Sequence, residues 1–179
     1  VLIPQGVSGL DPLMKVGAQI RGGRKDRPSA DRCRWLLERY GLPTETEELY
    51  PFELSGGMAR RVLIAAAMME EPELVIADEP TPGLDLQTAR RVMGHFREMA
   101  DQGTGVLLIT HDLELAMETA DRVLIFSEGS VIEELQMEAE PESGTRKLKG
   151  VPQNAYTKRL LSSVPGVGTP WSILAGERL

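Results

Sequence analysis

Leu54-Ser55-Gly56-Gly57-Met58, then Leu74-Val75-Ile76-Ala77-Asp78-Glu79-Pro80, then Gly83-Leu84-Asp85 decide how this chain is read. Between the first two segments, Met58 to Met69 is rich in Ala, Leu, Met and Arg, a composition that favours a helix. Glycines before a helix let the backbone approach a ligand, and the helix's first free N–H groups can then hold an anion. Leu74 to Ala77 is a short continuous apolar run, the pattern of a strand buried on both faces. It delivers Asp78 and Glu79 at its carboxyl end, where open α/β sheets bind ligands. A hard cation such as Mg²⁺ prefers carboxylate and phosphate oxygens, and a second carboxylate can orient or deprotonate an attacking water. Ser-Gly-Gly alone is a common loop, and Asp-Glu after a strand often caps the next helix. Both in this order, with Asp85 and His111 following, point to nucleotide phosphate chemistry.

Composition narrows the field. A chain of 179 residues is long enough for a real core, and its net charge of −7 argues against a general nucleic-acid binder. A single cysteine, Cys33, excludes an internal disulfide and a cysteine zinc cluster, which fits a reducing compartment. The longest apolar run, Val62 to Met69, is too short to span a bilayer, so a membrane role implies a partner.

Leu54 to Met58 resembles the signature motif of ATP-binding cassette ATPases, and Leu74 to Glu79 resembles their Walker B strand. Gly83-Leu84-Asp85 resembles the D-loop, Ile109-Thr110-His111-Asp112 the switch-histidine segment, and Ile3-Pro4-Gln5 the Q-loop. Ser8 to Pro12 with Val16 to Ile20, Tyr50-Pro51 before the signature, and Asn154 to Pro165 are similar to the peptide and nickel importers of that family. The resemblance implies an α/β fold of P-loop NTPase type, a mostly parallel sheet flanked by helices, with a helical subdomain over about 13–70. It divides the chain into a partial ATPase domain, 1–135, and a linker with C-terminal extension, 136–179. The cofactors it implies are ATP and Mg²⁺, with Asp78 and Gln5 toward the metal. Glu79 would polarise water, His111 would contact the γ-phosphate, and Gln5 would link the metal to the permease. Ser55, Gly56 and Gly57, with Asp85, would complete the ATP site of a second ATPase subunit. The implied partners are that subunit, transmembrane permease subunits and, indirectly, an extracytoplasmic solute-binding protein, on the cytoplasmic membrane face. Nucleic acid is not among them.

No Gly-x-x-x-x-Gly-Lys-Ser/Thr occurs, and no lysine follows a glycine. The expectation is a chain cut before Val1, poorly able to bind ATP alone, inactive, and with part of its sheet exposed. The alternatives are a non-catalytic module lending its signature to a partner, and a non-transport cassette ATPase. Gln5 by itself reads as an exposed loop amide, and Asp85 equally as a helix N-cap.

The remaining expectations are local. Ser29 is a plausible N-cap for a helix ending at Gly41, with Ala30, Cys33, Leu36, Leu37 and Tyr40 buried and Cys33 inert. In the helix Leu86 to Ala100, Ala89, Val92, Met93, Phe96 and Met99 share one face; His95 falls off it and reads as solvated. A histidine after the buried-type strand Val106 to Ile109 can donate to a phosphate oxygen. Val123 to Phe126 and Val131-Ile132 read as a hairpin closing the sheet, and Gln136 to Gly150 as a linker. Arg60, where the family more often has glutamine, reads as a tolerated variation.

Overall fold

Strand β2 (Leu74–Asp78) lies between β1 (Leu2–Ile3) and β3 (Gly105–Ile109) in a parallel sheet, with Ile76 beside both Leu2 and Leu107. The structure is a computed structural model that describes residues 1–7, 9–23, 25–139 and 146–164. It divides into two units, Val1–Thr110 and His111–Leu179.

In the first unit the helices are α1 (Val16–Ile20), α2 (Arg27–Arg39), α3 (Gly56–Ala67) and α4 (Leu86–Asp101), with short 3-10 turns at Thr44–Glu48 and Pro51–Glu53. Helix α2 is capped by Asp26, not Ser29: the carboxylate accepts from Ser29 N at 2.9 Å and from Ser29 Oγ. Pro28 sits in the first turn, where its missing N–H is harmless, so the helix starts earlier than the apolar spacing suggests. The C-terminus follows expectation. Gly41 takes φ +68°, and Leu42 N returns to the Leu37 carbonyl at 2.8 Å. The apolar face of α2 is buried, Cys33 with it, and burial pushes its thiol pKa up, in keeping with inert packing.

The sheet departs from the reading of strands buried on both faces. Ile3, Val75 and Ala77 are buried, with α3 packed on β1 and α4 on β3. On the opposite face Leu2, Leu74, Leu107 and Ile109 are 50–60% exposed, so β2 and β3 are covered on one side only. An uninterrupted apolar run predicts what a strand can bury, not what this chain supplies to cover it. The expected exposure of part of the sheet is therefore observed.

The second unit holds α5 (Leu113–Thr119), β4 (Arg122–Ser127), β5 (Ser130–Ala139), β6 (Arg146–Lys149) and α6 (Ala155–Ser162). The expected hairpin forms on a two-residue turn in which Glu128 and Gly129 both have positive φ. It does not close the parallel sheet. Among the described residues, β4, β5 and β6 make a separate antiparallel sheet. Residues 136–139 and 146–149, read as linker, are strand, and the expected boundary at 135 falls inside β5. The alternation that forms them is present, since Met137 is buried between exposed neighbours and pairs with Leu148, but flanking charges mask it. Met117, Val123, Ile125, Leu135, Met137 and Leu161 form this unit's core. Helix α6, capped by Asn154, contributes Leu161, as its amphipathic pattern implies. The expectations for 165–179, including Pro165, lie outside the described residues.

Candidate functional site

Parallel pairing puts the carboxyl ends of β1, β2 and β3 on one edge of the sheet. Gln5 follows β1 by two residues, Asp78 ends β2, and Glu79 comes next. Glu79 carries the clearest local signal. Its φ is +47°, a left-handed conformation that few non-glycine residues adopt. Its N–H donates to the Ile109 carbonyl at 2.9 Å, so the ladder between β2 and β3 continues through the turn. Among the described residues, the other non-glycine positions with positive φ are Glu71, three residues before β2 begins, and Glu128, in the turn between β4 and β5. Glu79 is half-buried, and its Oε2 is shielded from solvent. His111 is two residues beyond β3 along the chain and is exposed.

Ser55 is the N-cap of α3, its Oγ accepting from Met58 N at 3.3 Å. Gly56 and Gly57 are the first helical residues, so their N–H groups have no intrahelical acceptor. The two glycines differ. A Cβ on Gly57 would stand 3.1 Å from the Gly83 carbonyl oxygen, so the signature turn and the turn before Asp85 approach closely. A Cβ on Gly56 would meet nothing within 4 Å. None of the described residues requires glycine at 56, which suits close approach by a ligand. Asp85 is the N-cap of α4, accepting from Thr88 N at 2.9 Å and from Thr88 Oγ1 at 2.7 Å. Those bonds, the side-chain one first, hold its carboxyl below the usual range.

Among the described residues, no group of three or more His, Cys, Asp or Glu side chains could hold a metal alone. Mg²⁺ takes one or two carboxylates and fills its shell with water and phosphate oxygens, and the Asp78 carboxylate at the end of β2, with the Gln5 amide two residues past β1, is a donor set of that hard-oxygen kind. No helix among the described residues is long and apolar enough to cross a membrane.

Sequence reasoning missed several residues around α3. Arg60 is buried, and its Nη1 donates to the Pro4 carbonyl at 3.1 Å while Nη2 donates to that of Gln5. Arg61 Nε donates to the Gly57 carbonyl at 3.1 Å, and its Nη1 donates to Gly41 O at 2.8 Å and Tyr40 O at 3.3 Å. His95 is 8% exposed rather than solvated and is hydrogen-bonded through Nδ1 to the Tyr40 hydroxyl. The spacing contained the signal. His95 is three residues after Val92 and four before Met99, and Arg60 is four before the buried Ile64. Polarity overrode periodicity in reading them.

Residues 1–82 match the family model described as ABC transporter. The chain is similar to this family over that stretch. It is 35% identical over 172 residues to the oligopeptide transport ATP-binding protein OppD of Lactococcus lactis subsp. cremoris (strain SK11), covering 91% of the chain and 48% of that protein. It is 36% identical over 170 residues to the dipeptide transport ATP-binding protein DppD of Haemophilus influenzae, covering 89% and 48%. A solved dimeric ATP-binding cassette in a post-hydrolysis state, bound to ADP and Pi, superimposes with a TM-score of 0.68 at 26% identity, covering 75% of this chain and 61% of that one. The chain thus spans about half the length of the curated relatives it matches. The α/β cassette expected from the motifs agrees with these matches.

Proposed function

We propose that this chain is part of an ATP-hydrolysing subunit of the ABC family that powers solute import through a membrane permease, with peptides as the favoured cargo. The observation that carries the proposal is Asp78-Glu79 at the carboxyl end of the central strand, with Glu79 in a left-handed conformation. Such strain persists where a side chain must point in one direction. Mg²⁺ bound with ATP neutralises charge on the phosphates and the leaving group. Asp78 holds that ion, directly or through water, and Glu79 orients and polarises the attacking water. His111 donates to the γ-phosphate, and Gln5 connects the metal site to the permease-facing loop. Ser55, Gly56 and Gly57, on the free N–H groups of α3, serve the ATP of a second ATPase subunit, with Asp85 close by.

The pairing is supported by the dimeric cassette this chain resembles, and the cargo by relatives named for oligopeptide and dipeptide transport. The activity proposed is that of the whole subunit, since this chain spans about half the length of the curated relatives it matches. Residues from about 13 to 70, which include α1, α2 and α3, would form the helical subdomain that carries the signature, and the protein would act at the cytoplasmic membrane face through its permease. Nickel is the other cargo the sequence resemblance allows. In the assembled transporter, Glu79→Gln should retain ATP binding and lose turnover. Near-normal hydrolysis would refute the role.

A further inference from the structure

Arg60 lies one turn after Gly56 on α3 and is 8% exposed. A buried guanidinium is unfavourable unless its N–H groups are satisfied. Here the two terminal nitrogens reach two consecutive main-chain carbonyls, Pro4 O at 3.1 Å and Gln5 O. A planar fork suits that arrangement as the point charge of lysine does not, and charge-assisted bonds are the stronger kind. The carbonyls belong to the segment in which β1 gives way to a loop: Ile3 is buried, Pro4 half-buried, and Gln5, Gly6 and Val7 exposed. Fixing both oxygens fixes the two peptide planes that flank the Gln5 Cα and hence the direction in which the exposed Gln5 side chain leaves the backbone. At the other end, Arg60 is separated from the Ser55–Gly57 turn by a single helical turn, about 6 Å of rigid backbone. A shift of that turn is therefore delivered to the Gln5 loop.

We propose that Arg60 is a positioning residue that couples the Ser55–Gly57 turn to the Gln5 loop, so that the two come to the nucleotide in fixed register. The proposal rests on the functional reading of those two segments. Nothing in it requires Arg60 to touch ATP or the metal.

The test compares Arg60→Ala and Arg60→Lys with wild type in the assembled transporter. It measures amide hydrogen exchange at Gln5, Gly6 and Val7, and ATPase activity against ATP and against Mg²⁺. For Arg60→Ala the expected result is at least tenfold faster exchange at those amides, a kcat reduced at least tenfold, and a KM for ATP changed less than threefold. The half-saturating Mg²⁺ concentration should rise severalfold, and Arg60→Lys should fall between. A residue that only supports packing would move the melting temperature without moving the Mg²⁺ dependence. Unchanged exchange at 5–7 in Arg60→Ala overturns the proposal. So does a kcat loss that follows the melting temperature alike in both variants. If Arg60→Ala does not assemble, Arg60→Lys decides by the same comparison, with a threefold change in loop exchange as the threshold. A wild-type transporter without ATPase activity would sink the functional reading instead, and loop exchange alone would then judge the coupling.

Discussion

Tyr40→Phe removes one oxygen from the interior and tests whether the contact between α2 and α4 is energetically specific. Tyr40 is fully buried, and its hydroxyl is hydrogen-bonded to His95 Nδ1, which is also shielded. Burial pushes the Tyr40 phenol up and His95 down to about 4, so both are neutral near pH 7. A bond between neutral groups contributes about 0.5–1.5 kcal/mol net, and stranding a buried partner costs about 1–3 kcal/mol. The ring itself stays: its centroid is 5.4 Å from that of His95, and phenylalanine keeps this packing. The expected loss for Tyr40→Phe is about 1–2.5 kcal/mol, against about 3–5 kcal/mol for Tyr40→Ala, which also opens a cavity. Urea unfolding gives these differences directly provided the m-value is unchanged. In a His95→Leu background the same Tyr40→Phe change should cost close to nothing, since both polar partners are then gone. A loss below about 0.5 kcal/mol in the wild-type background, or an equal loss in both, would refute the reasoning.

The same histidine gives a pH prediction. Burial first, then Arg39 and Arg32 from α2, hold its pKa at about 4 while Glu98 on its own helix opposes them. The unfolded chain therefore binds more protons than the native one between pH 6.5 and about 4, and stability falls as pH drops through that window. After allowance for solvent screening the contribution is about 1–2 kcal/mol, read as the difference between wild-type and His95→Gln unfolding curves across pH. Two glycine substitutions separate packing from function at the signature turn. Gly56→Ala meets open space and should leave stability unchanged or slightly raised, yet abolish turnover in the assembled transporter if a ligand approaches there. Gly57→Ala should lower both, because its Cβ crowds the Gly83 carbonyl. Full activity in Gly56→Ala would remove the argument for ligand approach.

Much of the fold could be read before the structure because its signals are local. The helix at Leu86–Asp101, its buried face, and the glycine ending α2 follow from spacing and backbone preference within a few residues. The separate antiparallel sheet did not, because which strand pairs with which is a long-range property that no single strand encodes. Arg60, Arg61 and His95 were overlooked for another reason. Each is polar on a stripe that periodicity marks as interior, and a polar residue there is best read as one that has found a partner. Apart from Gly57, four residues before Arg61, the partners Pro4, Gln5, Gly41 and Tyr40 are at least 20 residues away.

Glu79 shows how the two levels combine. Residue type and order identify a carboxylate after an apolar strand, but a glycine would adopt φ +47° at lower cost, since left-handed backbone costs other residues roughly 1–2 kcal/mol. A glutamate kept at such a position is not explained by the turn. Nor is it explained by the bond to Ile109 O, which the main chain makes whatever the side chain. What remains is the carboxylate itself, next to Asp78, on the edge where the parallel strands end. The strain is therefore an argument for chemistry that the motif alone does not contain. It converts a resemblance of letters into a physical reason to substitute Glu79 first.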